Sequence, residues 1–220
     1  MRKVIADEFL SLDGVAQAPG GAEEDTDGGF AHGGWHMQYM GDELAQRWVL
    51  AGIVEAGGFL LGRRTYDIFA AYWPNAGEDQ QVIAEPLNAK PKYVASRTRS
   101  GQLEWQNSRV LEGDLAAAVA ALKQEDGGDL HTIGSTQLVR SLIEHDLVDE
   151  LRLVIDPVTV GGGKRIFRDD GALRLFRLVD AQVASTGAIL ATYVRSECTR
   201  APGPRDPEGS PITTAFTALS

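Results

Sequence analysis

A strand that turns directly into a helix is predicted by residues 59–66, which read Phe59-Leu60-Leu61-Gly62-Arg63-Arg64-Thr65-Tyr66. The apolar run before Gly62 favours a buried strand, and the residues after it favour a helix. The N-terminus of a helix binds anions because its first N–H groups are unpaired and carry partial positive charge. Arg63, Arg64 and Thr65 add donors that suit phosphate. The segment therefore predicts a phosphate-binding corner; the alternative is an ordinary turn with two solvated arginines.

The order of strand, glycine and helix recurs along the chain, which indicates a repeated crossover. Leu130–Ile133 predicts a strand that ends on Gly134-Ser135 before another helix. Residues 2–10 predict a first strand that leads into the turn Ser11-Leu12-Asp13-Gly14. Residues 42–56 predict a helix that Asp42 caps. This alternation predicts an α/β sheet with parallel crossovers and helices on both faces.

The remaining patterns complete a mixed sheet. Further strands are predicted at residues 92–95, 109–111, 151–155, 174–183 and 188–194, and a helix is predicted at 114–124. The last two strands predict a C-terminal antiparallel hairpin beside a mostly parallel central sheet. Residues 17–34, rich in glycine and acids, predict a long mobile loop that serves as a lid. We expect one domain over residues 1–196 and a disordered, Pro/Gly-rich tail over 197–220.

Size, charge and cysteine content limit the classes of protein that this chain can be. Its 220 residues carry 21 basic and 31 acidic side chains, a net charge of −10 that opposes binding to nucleic acid or an anionic membrane. A lone cysteine, Cys198, excludes a disulfide framework and a Cys-x-x-Cys zinc site, so no metal is expected. Without a signal-like or membrane-spanning segment, the expected location is the cytoplasm.

Four predicted strand ends carry groups that suit an anionic ligand: Ser11 to Gly14, Gly62 to Thr65, Ser96-Arg97 and Gly134-Ser135. In open α/β sheets, ligands bind outside the carboxyl ends of the strands. Two helix N-termini suit a pyrophosphate, and the cations and hydroxyls suit one more phosphate, as in NADPH. Neither G-x-G-x-x-G in the first crossover nor a P-loop occurs, which disfavours an ordinary Rossmann or P-loop site.

These residues, in this order and spacing, resemble the riboflavin-biosynthesis reductase (RibD C-terminal) family of the dihydrofolate-reductase-like superfamily, in its stand-alone form. The resemblance extends from Val4 to Arg195 and includes Asp156-Pro157-Val158 and Gly161 to Phe167. It implies a dihydrofolate-reductase-like fold and a homodimeric reductase that binds NADPH and a small-molecule substrate. The cofactor-binding residues that it implies are Leu12, Gly14, Gly62, Arg63, Arg64, Thr65, Ser96, Arg97, Gly134, Ser135, Thr136, Gln137 and Leu138.

Two carboxylates are candidates for catalysis, each with a structural alternative. Asp13, beside the predicted nicotinamide position, either orients or protonates the substrate or simply forms an Asp-Gly turn. Asp42 either donates a proton, as an acid on the first helix does in dihydrofolate reductases, or serves as an N-cap. An ordered water is a third candidate for the proton donor. The zinc deaminase of the bifunctional riboflavin enzymes is absent, since no H-x-E with P-C-x-x-C occurs.

Three side chains are candidates for the substrate site. Trp35, His36 and Trp73 form either a stacking wall for a flat heterocycle or ordinary packing. The other histidines in predicted elements, His131 and His145, are interpreted as structural. The Lys164-Arg165 pair after the triple glycine either reaches the site or forms a solvated turn, and the second interpretation is preferred.

The leading hypothesis is an NADPH-dependent reductase that transfers hydride to a small planar carbonyl, imine or heterocyclic substrate. One alternative is the riboflavin-pathway reductase that acts on 5-amino-6-(5-phosphoribosylamino)uracil, which needs a second anion site. The other alternative is a non-catalytic module that binds or senses a nucleotide.

Overall fold

The computed structural model describes residues 1–196, and the predicted tail, residues 197–220, lies outside the described residues. The strands are β1 (Val4–Ser11), β2 (Gly58–Gly62), β3 (Lys92–Ala95), β4 (Ser108–Val110), β5 (Leu130–Ile133), β6 (Glu150–Asp156), β7 (Phe176–Val183) and β8 (Ile189–Arg195). The helices are α1 (Glu43–Glu55), α2 (Arg63–Tyr72), α3 (Gln81–Ala89), α4 (Leu115–Gln124) and α5 (Thr136–Glu144). The sequence patterns predict each of these elements except α3.

All eight strands join one sheet in the order β4-β3-β2-β5-β1-β6-β8-β7. The first six strands of that order are parallel, and β8 runs antiparallel to both β6 and β7. The predicted fold class, a mostly parallel α/β sheet with a C-terminal antiparallel hairpin, is therefore confirmed. All the parallel strands end at one edge of the sheet, which we call the carboxyl edge.

Apolar side chains form a core on each face of the sheet. On one face, α4 and α5 pack Val119, Leu122 and Leu142 against strands β1, β2, β5 and β6. On the other face, α1, α2 and α3 pack Ile53 and Tyr66 among others against β2 and β3. Helices therefore cover both faces, and the carboxyl edge is left to the loops. The helices of the described part of the chain are too short or too polar to span a bilayer.

Candidate active site

The two predicted anion-binding turns meet at the carboxyl edge, where β2 and β5 are neighbours. The backbone N–H of Gly62 donates to Ser135 Oγ over 2.9 Å, which joins the start of α2 to the start of α5. In the register of the sheet, Ala95 at the end of β3 pairs with Gly62. Three of the four predicted strand ends thus lie side by side.

Neither α2 nor α5 has a side-chain cap, whereas α1 and α4 are capped by Asp42 and Asp114. The first N–H groups of an uncapped helix remain available to an anion. Gly134 and Ser135 enter α5 through left-handed backbone, with φ of 62° and 66°. Glycine suits that conformation, and among residues 1–196 no atom beyond its chain neighbours lies within 4 Å of a Cβ placed on Gly134. The start of α5 is therefore open on this side.

The remaining cofactor-binding candidates of α5 and β3 lie at the same edge. Thr136 and Gln137 form the first turn of α5, while the side chain of Leu138 packs into the core. Ser96 Oγ accepts hydrogen bonds from the N–H groups of Thr98 and Arg99 at 3.2 and 2.9 Å, and Arg97 is exposed. Ser96 therefore shapes its own turn and leaves Arg97 in solvent.

The arginines at the start of α2 have different partners. Arg63 is half exposed and lies 3.8 Å from Asp67 in its own helix. Arg64 instead binds Asp25 and Asp27 of the loop 17–34. Arg64 holds the pKa of the Asp27 carboxyl well below its ordinary value, with a further contribution from Lys164. Thr65 is half-buried behind them.

Asp13 is held in a turn by three hydrogen bonds. Its carboxylate accepts from Ser11 Oγ at 2.6 Å and from the N–H groups of Val160 and Gly161 at 3.0 and 2.8 Å. These bonds, with that of Ser11 the largest, lower the pKa of Asp13 to about 2. An acid with this pKa is ionised at neutral pH and is a poor proton donor. The geometry favours the turn-forming interpretation of Asp13.

Replacement of Asp13 by asparagine is expected to destabilise the protein at neutral pH. Because its folded pKa lies below the ordinary value of 3.8, the stabilisation from the carboxylate is complete above about pH 4 and is lost as the pH falls towards 2. Urea unfolding at pH 6 and pH 3 checks this. The gap in stability between wild type and Asp13→Asn should narrow at pH 3; a gap that stays constant would contradict the ionic role.

The other cofactor-binding candidates at the end of β1, Leu12 and Gly14, lie in the same turn as Asp13. Leu12 exposes its side chain, and its N–H donates to the carbonyl of Val158 over 2.7 Å. Gly14 has a φ of 77°, which favours glycine at this position. The end of β1 is thus fixed to the segment that follows β6.

Asp42 caps α1 with one carboxylate oxygen and binds the β7–β8 turn with the other. Ala45 N–H donates to Oδ1 at 2.8 Å, and Ser185 donates to Oδ2 through its N–H at 2.7 Å and its hydroxyl at 2.6 Å. The bonds from Ser185, of which the hydroxyl's is the largest, and from Ala45 lower the pKa of Asp42. The predicted N-cap is confirmed, and both oxygens of Asp42 are already bonded.

The three aromatic candidates do not form one wall. Trp73 packs its ring against Phe69 and Tyr72 beside the α2–α3 core. Trp35 is buried, and its indole N–H donates to the carbonyl of Gln17 at 2.8 Å. Trp73 is therefore partly buried and packs against the core, which favours the packing interpretation of its spacing from Tyr66 and Phe69.

His36 lies at the carboxyl edge in a buried pair with Asp156. The distance from His36 Nδ1 to Asp156 Oδ2 is 2.6 Å, and the imidazole lies over the ring of Phe9 with 4.1 Å between centroids. Asp156 ends β6 and pairs in register with Ser11. Its second oxygen, Oδ1, is buried without a partner in the described residues. The pair fixes the imidazole ring, and Nε2 forms no hydrogen bond within the described chain.

A buried carboxyl on β1 was missed by the sequence analysis. Glu8 is 3 % exposed, and its Oε1 has no hydrogen-bond partner among the described residues. Burial, aided by the charges of Asp7 and Glu24, raises the pKa of Glu8 well above its ordinary value. Asp7 next to it binds His131 at 2.7 Å and Arg152 at 3.1 Å, so these three side chains share one cluster beneath α1. These contacts favour the structural interpretation of His131.

Replacement of Glu8 by glutamine is expected to stabilise the protein at neutral pH. A carboxyl whose folded pKa is raised costs stability progressively as the pH rises above its unfolded value of about 4.5. Glutamine is nearly isosteric and does not ionise. The melting temperature of wild type should fall relative to Glu8→Gln between pH 5 and pH 8. Parallel curves for the two proteins would contradict burial of an ionisable Glu8.

The chemistry of this edge is that of an anion site and a hydrogen-bonding pocket. Among residues 1–196, no three His, Cys, Asp or Glu side chains are grouped to hold a metal ion. Helix N-termini and cations lie at the ends of β2 and β5, and the His36–Asp156 pair lies at the end of β6. The end of β1 lies between them in the sheet.

The chain belongs to the RibD C-terminal domain family, whose match extends over residues 2–190. This is a family of reductases with a dihydrofolate-reductase-like fold. The chain is 29 % identical over 199 residues to the uncharacterized protein YyaP of Bacillus subtilis (strain 168), across 87 % of this chain and 94 % of YyaP.

Two solved structures share the fold. A provisionally named riboflavin biosynthesis protein of Shewanella sp. PV-4 superposes with a TM-score of 0.63 at 18 % identity, over 89 % of this chain and 99 % of that one. Dihydrofolate reductase of Enterococcus faecalis, solved with NADP(H) and RAB-propyl, gives a TM-score of 0.51 at 14 % identity, over 89 % and 97 %. The sheet and its helices therefore follow a dihydrofolate-reductase-like plan.

Proposed function

We propose that the protein is an NADPH-dependent reductase of the RibD C-terminal type that reduces a small planar carbonyl, imine or heterocycle. The observation that carries this proposal is the joining of two uncapped helix N-termini through Gly62 and Ser135, beside Arg63 and Arg64. Such a pair of N-termini suits a pyrophosphate. The NADP(H) complex of the related dihydrofolate reductase supports the same cofactor here.

The residues at the carboxyl edge fit this cofactor. The open space beside Gly134 and the free N–H groups of Thr136 and Gln137 would hold the pyrophosphate. Arg63, Arg64, Thr65 and the exposed Arg97 would hold the phosphates of the adenosine half. The turn Ser11 to Gly14 would lie beside the nicotinamide. When bound, NADPH supplies the hydride.

On the substrate side, we assign His36 to hydrogen bonding with the substrate. Asp156 holds Nδ1 of the ring, so the free nitrogen, Nε2, is available to a ligand. The ring of Phe9 packs against the imidazole. Trp35, the residue before His36, is held by the hydrogen bond from its indole N–H to the carbonyl of Gln17. Asp13 and Asp42 would be ionised and fully bonded, so we assign them to positioning loops and leave the proton to His36 or an ordered water.

The riboflavin-pathway reductase is the second candidate, and the family match favours it. Its substrate carries a phosphate of its own and needs a second anion site. If this gene restores growth of a riboflavin-reductase deletion strain without added riboflavin, the result would support the riboflavin-pathway substrate. NADPH oxidation with other planar acceptors, together with no restored growth, would exclude that substrate. We also propose a homodimer, on the family resemblance alone, and a cytoplasmic location, on the sequence pattern described above.

Thermal unfolding with and without cofactor tests the proposal. At about 1 mM NADPH and a Kd of about 10 μM, binding adds about 2.7 kcal/mol to the free energy of unfolding. For a chain of this size the melting temperature should rise by roughly 5–11 °C. No shift with NADPH would contradict the proposal. A shift without NADPH oxidation over a panel of planar carbonyls, imines and heterocycles would favour the non-catalytic nucleotide-binding module.

A further inference from the structure

A cluster of four charges fastens the loop 17–34 to the start of α2 and to the segment after β6. Asp25 and Asp27 each bind both Arg64, at the start of α2, and Lys164, after the turn 161–163. The bonds from Lys164 Nζ measure 2.5 Å to Asp25 and 2.8 Å to Asp27, and Arg64 Nη2 lies 2.9 Å from Asp27 Oδ1. We call Asp25, Asp27, Arg64 and Lys164 the charge cluster.

The charge cluster bridges the two sides of the carboxyl edge. Arg64 follows β2 and Lys164 follows β6, and in the sheet β5 and β1 lie between those strands. Asp25 and Asp27 therefore connect the start of α2, after β2, with the segment that follows β6.

The loop is fastened so that its carboxylates point at these cations. Gln17 is buried, and its amide donates to the backbone carbonyls of Asp25 and Asp27 at 2.9 and 3.0 Å. Its Oε1 accepts from the N–H of Lys164 at 3.0 Å. One buried side chain thus positions both the acids and one of the cations.

The charges of the cluster balance, which leaves no net attraction for a further anion. Two carboxylates offer Arg64 and Lys164 the same oxygen acceptors that a phosphate dianion would offer. The Nη groups of Arg64 and the Nζ group of Lys164 already bind the two carboxylates. A phosphate that binds these same N–H groups must therefore displace Asp25 and Asp27 from them.

We propose that Arg64 and Lys164 together form a phosphate-binding site for the nucleotide, and that Asp25 and Asp27 compete for it from within the chain. This inference rests on the proposed function and adds Lys164 to the site. The loop 17–34 then closes the empty site and opens when the phosphate of NADPH takes its cations. The apparent affinity of the site for the phosphate is its intrinsic affinity multiplied by the fraction of molecules in which the site is open.

Calorimetric titration of NADPH into matched loop variants tests this competition. Asp27→Asn removes an acid of the cluster, and Glu23→Gln removes an exposed acid of the same loop that forms no ion pair among the described residues. We expect Asp27→Asn to bind NADPH about 3-fold more tightly, and Asp25→Asn/Asp27→Asn about 10-fold more tightly, than wild type. Glu23→Gln should stay within about 2-fold of wild type, since it changes charge alone.

Lys164 is tested separately in the double-asparagine background. There Lys164→Met should weaken NADPH binding about 5-fold or more, because the lysine is then free to bind phosphate. Equal affinity of the double-asparagine variant and Glu23→Gln would overturn the competition, and an unchanged affinity with Lys164→Met would remove Lys164 from the site. If no variant binds NADPH, the proposed function itself fails, which the titration distinguishes from failure of the competition alone. Circular dichroism of each variant checks that it is folded.

Discussion

Replacement of both Arg63 and Arg64 by alanine is expected to weaken NADPH binding by about 100-fold, or roughly 3 kcal/mol, while NADH binding changes little. Hydrogen bonds to charged groups contribute about 1.5–3 kcal/mol each, and only NADPH carries the additional phosphate. The expected loss is at the lower end because Arg64 must leave Asp25 and Asp27 before it binds a ligand. Titration of the variant with each cofactor gives both affinities.

The matched control is Arg47→Ala, which removes one positive charge from α1. Arg47 is exposed and paired with Glu43 of its own helix, and it is not among the residues assigned to the cofactor. Its loss should leave both affinities within about 2-fold of wild type, since exposed ion pairs contribute little. Equal losses of NADPH and NADH binding in the double-alanine variant would contradict the assignment of Arg63 and Arg64 to the additional phosphate.

Replacement of Gly57 by alanine is expected to destabilise the protein by about 3 kcal/mol. A Cβ on Gly57 would lie 2.3–2.4 Å from the Cα, C and O atoms of Gly128, which are backbone atoms and cannot rotate away. Gly57 N–H also donates to the carbonyl of Asp129 at 2.7 Å, so the two segments that lead into β2 and β5 are fixed against each other. The melting temperature should fall by roughly 6–12 °C.

Gly41→Ala serves as the control for this glycine. In the described part of the chain, no atom beyond its chain neighbours lies within 4 Å of a Cβ on Gly41, and its φ is not in the left-handed region. The change in stability should therefore stay within about 0.5 kcal/mol. Equal melting temperatures for the two variants would show that β2 and β5 do not approach as closely as described, which would also weaken the link between Gly62 and Ser135.

Much of the fold follows from local sequence because its signals act over a few residues. The β2–Gly62–α2 unit, the Asp42 cap and the Leu130–Ile133 strand each combine an apolar period with a turn or cap residue. α3 lacks such a signal because Pro86 lies within it and no side chain caps its start. Its last turn is instead completed by Lys92, a buried lysine of the next strand that donates to the carbonyls of Leu87, Asn88 and Lys90. Burial lowers the pKa of Lys92 to about 8.

The candidate site also has features that local sequence predicts and features that it does not predict. Its turns could be predicted, since glycine and the capping residues mark them locally. The partners of its charges could not, because Lys164 binds Asp25 from 139 residues away and Asp7 binds Arg152 from 145 residues away. For Asp13, the hydrogen bonds from Val160 and Gly161 separate the turn-forming interpretation from the catalytic one. Such pairs are produced by the sheet order rather than by any pattern along the chain.

The most direct measurement is a crystal structure of the wild-type protein with NADPH. We expect the pyrophosphate to lie against the first turn of α5, next to Gly134, and the adenosine phosphates to lie against Arg63 and Arg64. We also expect the nicotinamide to lie beside the turn Ser11 to Gly14, with Asp25 and Asp27 moved away from Arg64. Density for the nucleotide at any other surface, or none at an NADPH concentration that saturates a calorimetric titration, would contradict the assignment of the carboxyl edge as the cofactor site.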